Sequence, residues 1–202
     1  MPGANVGRVR ASIASPIPTP RLTRLEYEAL VDRGVLGEDD PVELLGGQLF
    51  FKEPQGSRHA AACLRIRLAL DRAFGRGFHV RAAHPIALDP MSEPEPDIAV
   101  VRGRIEDYID AHPTAPVLVV EVAESSLTRD RARKAGLYAR AGIGDYWIAN
   151  LRDGLLEVYR DPVRTAAGRW RYRTVRSLRP RAAVRPLAAP RARLRVADLL
   201  LP

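Results

Sequence analysis

A mixed β-sheet with helices packed on it is the fold class this sequence predicts. Two amphipathic segments flank three consecutive strand-like runs, "FHVRAAHPIAL", "PDIAVV" and "APVLVVEVA". Two further strands follow the second helix, giving the order helix, strand, helix, strand, strand, strand, helix, strand, strand. The length of 202 residues, with 46% hydrophobic and 28% charged residues, suits one domain with a real core.

Residues 1–20 are rich in Pro, Ala and Ser and lack apolar periodicity, so a flexible arm is expected there and a single domain over 21–202. Thr23 with Glu26 three residues on forms the signature of a capping box, opening a short helix through "LEYEALV". "PVELLGGQLFFK" reads as a hairpin about its Gly-Gly. Ser57 is expected to cap a long helix in "SRHAAACLRIRLALDRAF", with Ala61, Leu64, Leu68 and Ala69 on its inner face. "RIEDYIDAH" is expected to be a short helix. "LTRDRARKAGLYARAG" is amphipathic, can be capped by Ser125 or Ser126, and stops at Gly142. "DYWIAN" and "LLEVYRD" are strands about the turn "LRDG", with Tyr146 and Trp147 as core positions; "RWRYRTV" and "ARLRVADLLL" add strands at the C-terminus.

No apolar run approaches the roughly 18–20 residues that cross a bilayer, and the N-terminus has no signal-peptide core, so no membrane partner is expected. The single cysteine, Cys63, excludes an internal disulfide and reads as a small core residue; a reducing cytoplasm is the expected compartment. No phosphate-binding GxxxxGK[ST] loop is present. His79, His84 and His112 show no metal-ligand spacing. The net charge of +8 is compatible with nucleic acid, although much of the excess lies beyond residue 160, where a solvated sheet edge would also account for it. Arginine supplies 30 of the 32 basic residues, and the two lysines are Lys52 and Lys134. Where arginine serves as the general cation, a retained lysine suggests a place that needs a compact ammonium.

Two carboxylates stand on faces that are otherwise apolar. Alternation puts Asp97 with Ala99 and Val101, and Glu121 with Val119 and Val117. Two such acids brought close repel unless a cation sits between them, and hard oxygen ligands of this kind suit Mg²⁺ or Mn²⁺. Lys134, thirteen residues after Glu121, can reach the same place if its helix packs back over the strand ends. Asp130, one turn before it, reads as a helix-face partner of Lys134 or Arg133.

Asp97 in "PD", Glu121 in a later strand and a nearby lysine resemble the PD-(D/E)xK nuclease superfamily. The usual lysine position, two residues after the acid, is Ala123 here, so Lys134 looks like a lysine migrated to the next helix. The closer resemblance, over about residues 22–200, is to the Uma family of "putative restriction endonucleases". It is carried by "LTRLEYEAL", "VELLGGQLF", "PEPDIAVV", "LVVEVAESSLTRDRARKAGLYARAGIGDYWIANL" and "LEVYR".

The resemblance implies a restriction-endonuclease-like sheet with an N-terminal hairpin and C-terminal strand additions. It further implies a Mg²⁺- or Mn²⁺-dependent endonuclease acting on double-stranded DNA and leaving a 3′-hydroxyl and a 5′-phosphate. Asp97, Glu121 and the carbonyl of Val122 would be metal ligands and Lys134 the catalytic lysine. His59 matches a family histidine that could contact a phosphate or a metal-bound water. Glu43 matches a family acid, but "ELLGG" stands where the family usually shows "ELIDG". Cutting both strands would be easiest for a homodimer. The alternatives are a catalytically silent nucleic-acid-binding or regulatory module, which the missing aspartate favours, and an assembly protein using the hairpin and C-terminal strands.

Overall fold

The computed structural model describes residues 20–37, 40–52 and 54–201. The arm expected at the N-terminus lies outside the described residues except for Pro20. Thr23 does close the predicted capping box: its hydroxyl accepts the Glu26 N–H while the Glu26 carboxylate accepts the Thr23 N–H, opening α1 (Arg24–Asp32). The hairpin pairs β1 (Val42–Leu45) with β2 (Gln48–Phe51).

The chain then runs through α2 (Ser57–Phe74), β3 (Phe78–Ala82), β4 (Ile98–Arg102), a 3-10 turn at Ile105–Tyr108, and β5 (Leu118–Ala123). A composite helix follows: α3 (Leu127–Arg129), a π turn (Asp130–Lys134) and α4 (Ala135–Arg140). After it come β6 (Asp145–Asn150), β7 (Leu155–Arg164), β8 (Trp170–Leu178), β9 (Ala183–Val184), β10 (Leu194–Arg195) and α5 (Val196–Leu199).

Six strands form one sheet in the order β3-β4-β5-β6-β7-β8. Every neighbouring pair is antiparallel except β5–β6, which the composite helix joins as a crossover. Alternation along β5 then assigns two cores. Leu118, Val120 and Val122 pack with Ala62, Ile66 and Leu70 of α2 on one side. Val119 and Ala123 pack with Ala135, Tyr138 and Ala139 on the other, so Glu121 faces the composite helix.

Three local expectations are corrected. The inner face of α2 is Ala62, Ile66, Leu70 and Phe74, while Leu64 and Leu68 are exposed. The helix carries two apolar stripes, and the one read as inner is interleaved with Arg65 and Arg72, whose charge belongs in water. Gly56, not Ser57, is the N-cap, and it offers no capping side chain. "ARLRVADLLL" gives only the two-residue β10 before turning into α5, which packs Val196 and Leu199 into the α2 core. Tyr146 and Trp147 are fully buried, as read.

Both central residues of the hairpin turn have positive φ, +62° at Gly46 and +82° at Gly47. That geometry is shared by Asn-Gly and Asp-Gly turns, so the aspartate missing from "ELLGG" is a turn residue. A Cβ on Gly46 would meet nothing within 4 Å, whereas one on Gly47 would lie 2.7 Å from Met91 Cε and 2.9 Å from Arg21 Cβ. Gly46→Asp is therefore expected to change stability by less than about 1 kcal/mol and Gly47→Ala to cost roughly 2–3 kcal/mol, as read by urea unfolding. Equal costs would mean that the turn is not held against Met91.

Candidate active site

β4 begins at Ile98, and its last pair with β5 is Ile98↔Val120. Val122 therefore lies beyond the reach of the ladder. The Asp97 side chain takes the place of the missing strand: its Oδ2 accepts the Val122 N–H at 2.7 Å. The other oxygen lies 2.9 Å from His59 Nε2 and accepts from Gln55 at 3.3 Å. His59 is where the inner stripe of α2, Ala62, Ile66 and Leu70, extends one turn towards the N-terminus. So Asp97 stands at the seam of the two layers, held by one element from each.

Glu121 is held from the other layer. Its Oε1 accepts from Lys134 Nζ at 3.1 Å and from the Tyr138 hydroxyl at 2.7 Å. Lys134 and Tyr138 are four residues apart, one turn of helix, and thus face the same oxygen. Lys134 Nζ also lies 3.1 Å from Glu43 Oε2, which accepts the Glu95 N–H at 3.2 Å. Glu43 is carried in by β1, 52 residues upstream of Glu95. Arg133 latches that hairpin to the helix, its guanidinium 4.2 Å from the Phe50 ring centre.

Asp130 is the residue whose place the sequence reading missed. Read as a helix-face partner of Lys134 or Arg133, it is buried beside Lys134 in the cavity, and its Oδ2 accepts from the Ser126 hydroxyl at 2.6 Å. The turn that carries it is a π turn, in which the Ala135 N–H reaches back five residues to the Asp130 carbonyl. The Tyr146 hydroxyl donates to that same carbonyl at 3.3 Å. Ser126, expected as a cap, makes no capping bond and serves Asp130 instead. Tyr138 was also missed, although its spacing from Lys134 was the available signal.

Glu43, His59, Asp97, Glu121, Val122, Asp130 and Lys134 all line one cavity of about 100 Å³, room for a small ion and a few waters. Lys52, Gln55 and Glu95 stand on its wall as well. Val122 takes part through its N–H to Asp97. Cys63, half-buried one turn beyond His59, has a sulfur that lies within 4.8 Å of donor atoms of His59 and Asp97. Burial pushes its thiol up, the direction of an inert core cysteine.

Charge in this cavity is out of balance. Glu43, Glu121 and Asp130 are buried with Lys134, and Asp97 is nearly so. Burial raises the Glu121 carboxyl to about 8; Lys134 pulls it down, but Asp130, Asp97 and Glu43 push the other way. Burial likewise raises Asp130. For Lys134 burial opposes the charge, yet Glu121 and Glu43 prevail and hold it well above the ordinary lysine range. For His59 burial again opposes the charge, and the hydrogen bond and charge of Asp97 outweigh it, so the imidazole is raised. Four acids thus stand beside the buried Lys134 ammonium, with Lys52 and Arg129 also on the wall, and among the described residues the donor atoms that come within 4.8 Å of one another are those of His59, Cys63 and Asp97.

The sequence profile of a family described as "Uma2: Putative restriction endonuclease" matches residues 25–197. No curated protein matches the chain. Among solved structures, the crystal structure of a "putative nuclease belonging to DUF820" from Anabaena variabilis ATCC 29413 superposes with a TM-score of 0.69. It is 18% identical, and the match covers 88% of this chain and 97% of that one. At that identity the likeness speaks for the fold, which is restriction-endonuclease-like.

Proposed function

Since the chain belongs to the Uma2 family, described as putative restriction endonucleases, we propose that its cavity hydrolyses the phosphodiester bonds of DNA with a divalent metal. The observation that carries this reading is the convergence of Glu43 from β1, Asp97 from just ahead of β4 and Glu121 from β5 on the turn that holds Asp130 and Lys134, with Glu43 and Glu121 paired to the lysine. No structural need explains it, because buried like charges destabilise a fold.

Asp97 and Glu121 would hold the ion, with the Val122 carbonyl as a further oxygen. Mg²⁺ or Mn²⁺ there would supply Lewis acidity to the phosphodiester and lower the pKa of an attacking water. The chain's own groups do the rest. His59 and the Val122 N–H fix the Asp97 carboxylate. Tyr138 and Lys134 fix Glu121. Lys134 is held as an ammonium, so it balances charge developing on the phosphorane and orients the nucleophile by donating to it; it does not accept the proton. Nuclease action belongs to the same reading as DNA as substrate and, for two-strand cleavage, a pair of copies. The alternative of a silent module loses its main support, since Gly46 lies in the turn and does not line the cavity.

Calorimetric titration of Mn²⁺, paired with plasmid cleavage in Mg²⁺, tests this on wild type and Asp97→Ala. Wild type is expected to bind Mn²⁺ and nick DNA, and the variant to lose both. The variant should stay folded, losing about 1–2 kcal/mol because Val122 and His59 lose a partner. Cleavage by Asp97→Ala at the wild-type rate would sink the assignment. DNA binding by wild type without any metal-dependent cleavage would point to the silent module.

A further inference from the structure

The retained lysines end in one place. Among the described residues, three lysine and arginine side chains line the cavity, Lys52, Arg129 and Lys134, and two are lysine, in a chain where lysine is 2 of 32 basic residues. Their situations differ. Lys134 is buried and shared between two glutamates, so it is not free to move. Lys52 follows β2, its N–H tied to the Pro41 carbonyl at 2.6 Å, and its ammonium lies 2.5 Å from Glu95 Oε2. Its side chain is 34% exposed, and Glu95 is 19% exposed. The main chain is thus anchored while the charged head sits at the rim on one carboxylate. Glu95 itself is held by its backbone N–H on Glu43, so its position survives release of its carboxylate.

We propose that Lys52 is a substrate-binding residue that exchanges Glu95 for a phosphate oxygen of the nucleic acid as the strand enters the cavity. The proposal rests on the nuclease reading. A compact ammonium on a flexible stem suits such an exchange, because it swaps one oxygen acceptor for another without the paired geometry a guanidinium imposes. Each group carries a single negative charge, but the phosphate belongs to a polyanion whose condensed counterions are released when it is neutralised, so entry of the strand drives the exchange. In the free protein Glu95 competes with the substrate for this lysine and acts as its parking site.

Two variants with opposite expected signs test this, in steady-state cleavage and in DNA binding with Ca²⁺ in place of Mg²⁺. Lys52→Ala should weaken DNA binding roughly tenfold, with its loss carried mainly in KM. It should also reduce the slope of log Kd against log salt by about one. Glu95→Gln, which frees Lys52, should tighten binding a few-fold. If Lys52 and Glu95 formed only a structural ion pair, both variants would lose thermal stability and neither would change the salt slope; that result would overturn the proposal. A wild type that cleaves DNA alongside an unchanged Lys52→Ala would overturn it while leaving the nuclease reading intact. A wild type that neither binds nor cleaves would overturn both.

Discussion

Lys134→Met is expected to cost about 3–5 kcal/mol of stability and to abolish cleavage. The methionine fills the same channel, so the loss is electrostatic. Glu43 and Glu121 are left buried with no cation between them, and Asp130 is beside them. Urea unfolding measures the cost. The same logic predicts a rescue: Glu43→Gln in the Lys134→Met background should restore much of the stability and none of the activity. A single variant as stable as wild type would mean that the ammonium does not bridge the two glutamates.

Glu121→Gln should separate stability from function in the opposite direction. Its amide keeps an oxygen for Tyr138 and Lys134 but carries no charge. The folded carboxyl sits near 8 against an ordinary 4.5, so between those values the folded protein binds the proton that the unfolded chain has released. Stability is therefore full below about pH 4.5 and is lost as pH rises towards 8. Replacing the acid removes that loss. The variant should be more stable than wild type by about 1–3 kcal/mol at pH 8.5 and nearly equal to it at pH 5, while Mn²⁺ binding and cleavage disappear. Thermal midpoints across that range are the measurement. A variant less stable than wild type at pH 8.5 would show that the carboxylate is stabilised in place by its neighbours.

What was legible in the sequence was what is local or strictly periodic. The capping box of Thr23 and Glu26 spans three residues, and the Gly-Gly turn carries its own backbone geometry. Alternation placed Glu121 on the face where the composite helix lies. It did less for Asp97, which sits just outside the ladder, so its carboxylate answers to the orphan N–H of Val122 and not to strand parity. Periodicity misled on α2, where two stripes compete and arginine decides between them. It put Asp130 on the Lys134 face but not into the interior, because burial of that face depends on the helix packing back over β5, which no local pattern fixes. The resemblance to a family supplied Glu43 and His59, which no local pattern ties to Asp97 or Glu121. The sequence distance is bridged only by the hairpin docking on the helix and by α2 lying across β4.

That wide turn also makes the helix an instrument for counting. One residue more than an α-helical turn is accommodated between Asp130 and Ala135, in the same stretch from which Asp130, Lys134 and Tyr138 face inwards. Deleting a residue outside the π turn would swing everything before the gap by about 100° relative to everything after it. Substitutions on the outer face can accumulate freely, but the number of residues between the serines and Gly142 cannot drift. Lineages of this chain should therefore vary in composition along this helix and be intolerant of gaps in it.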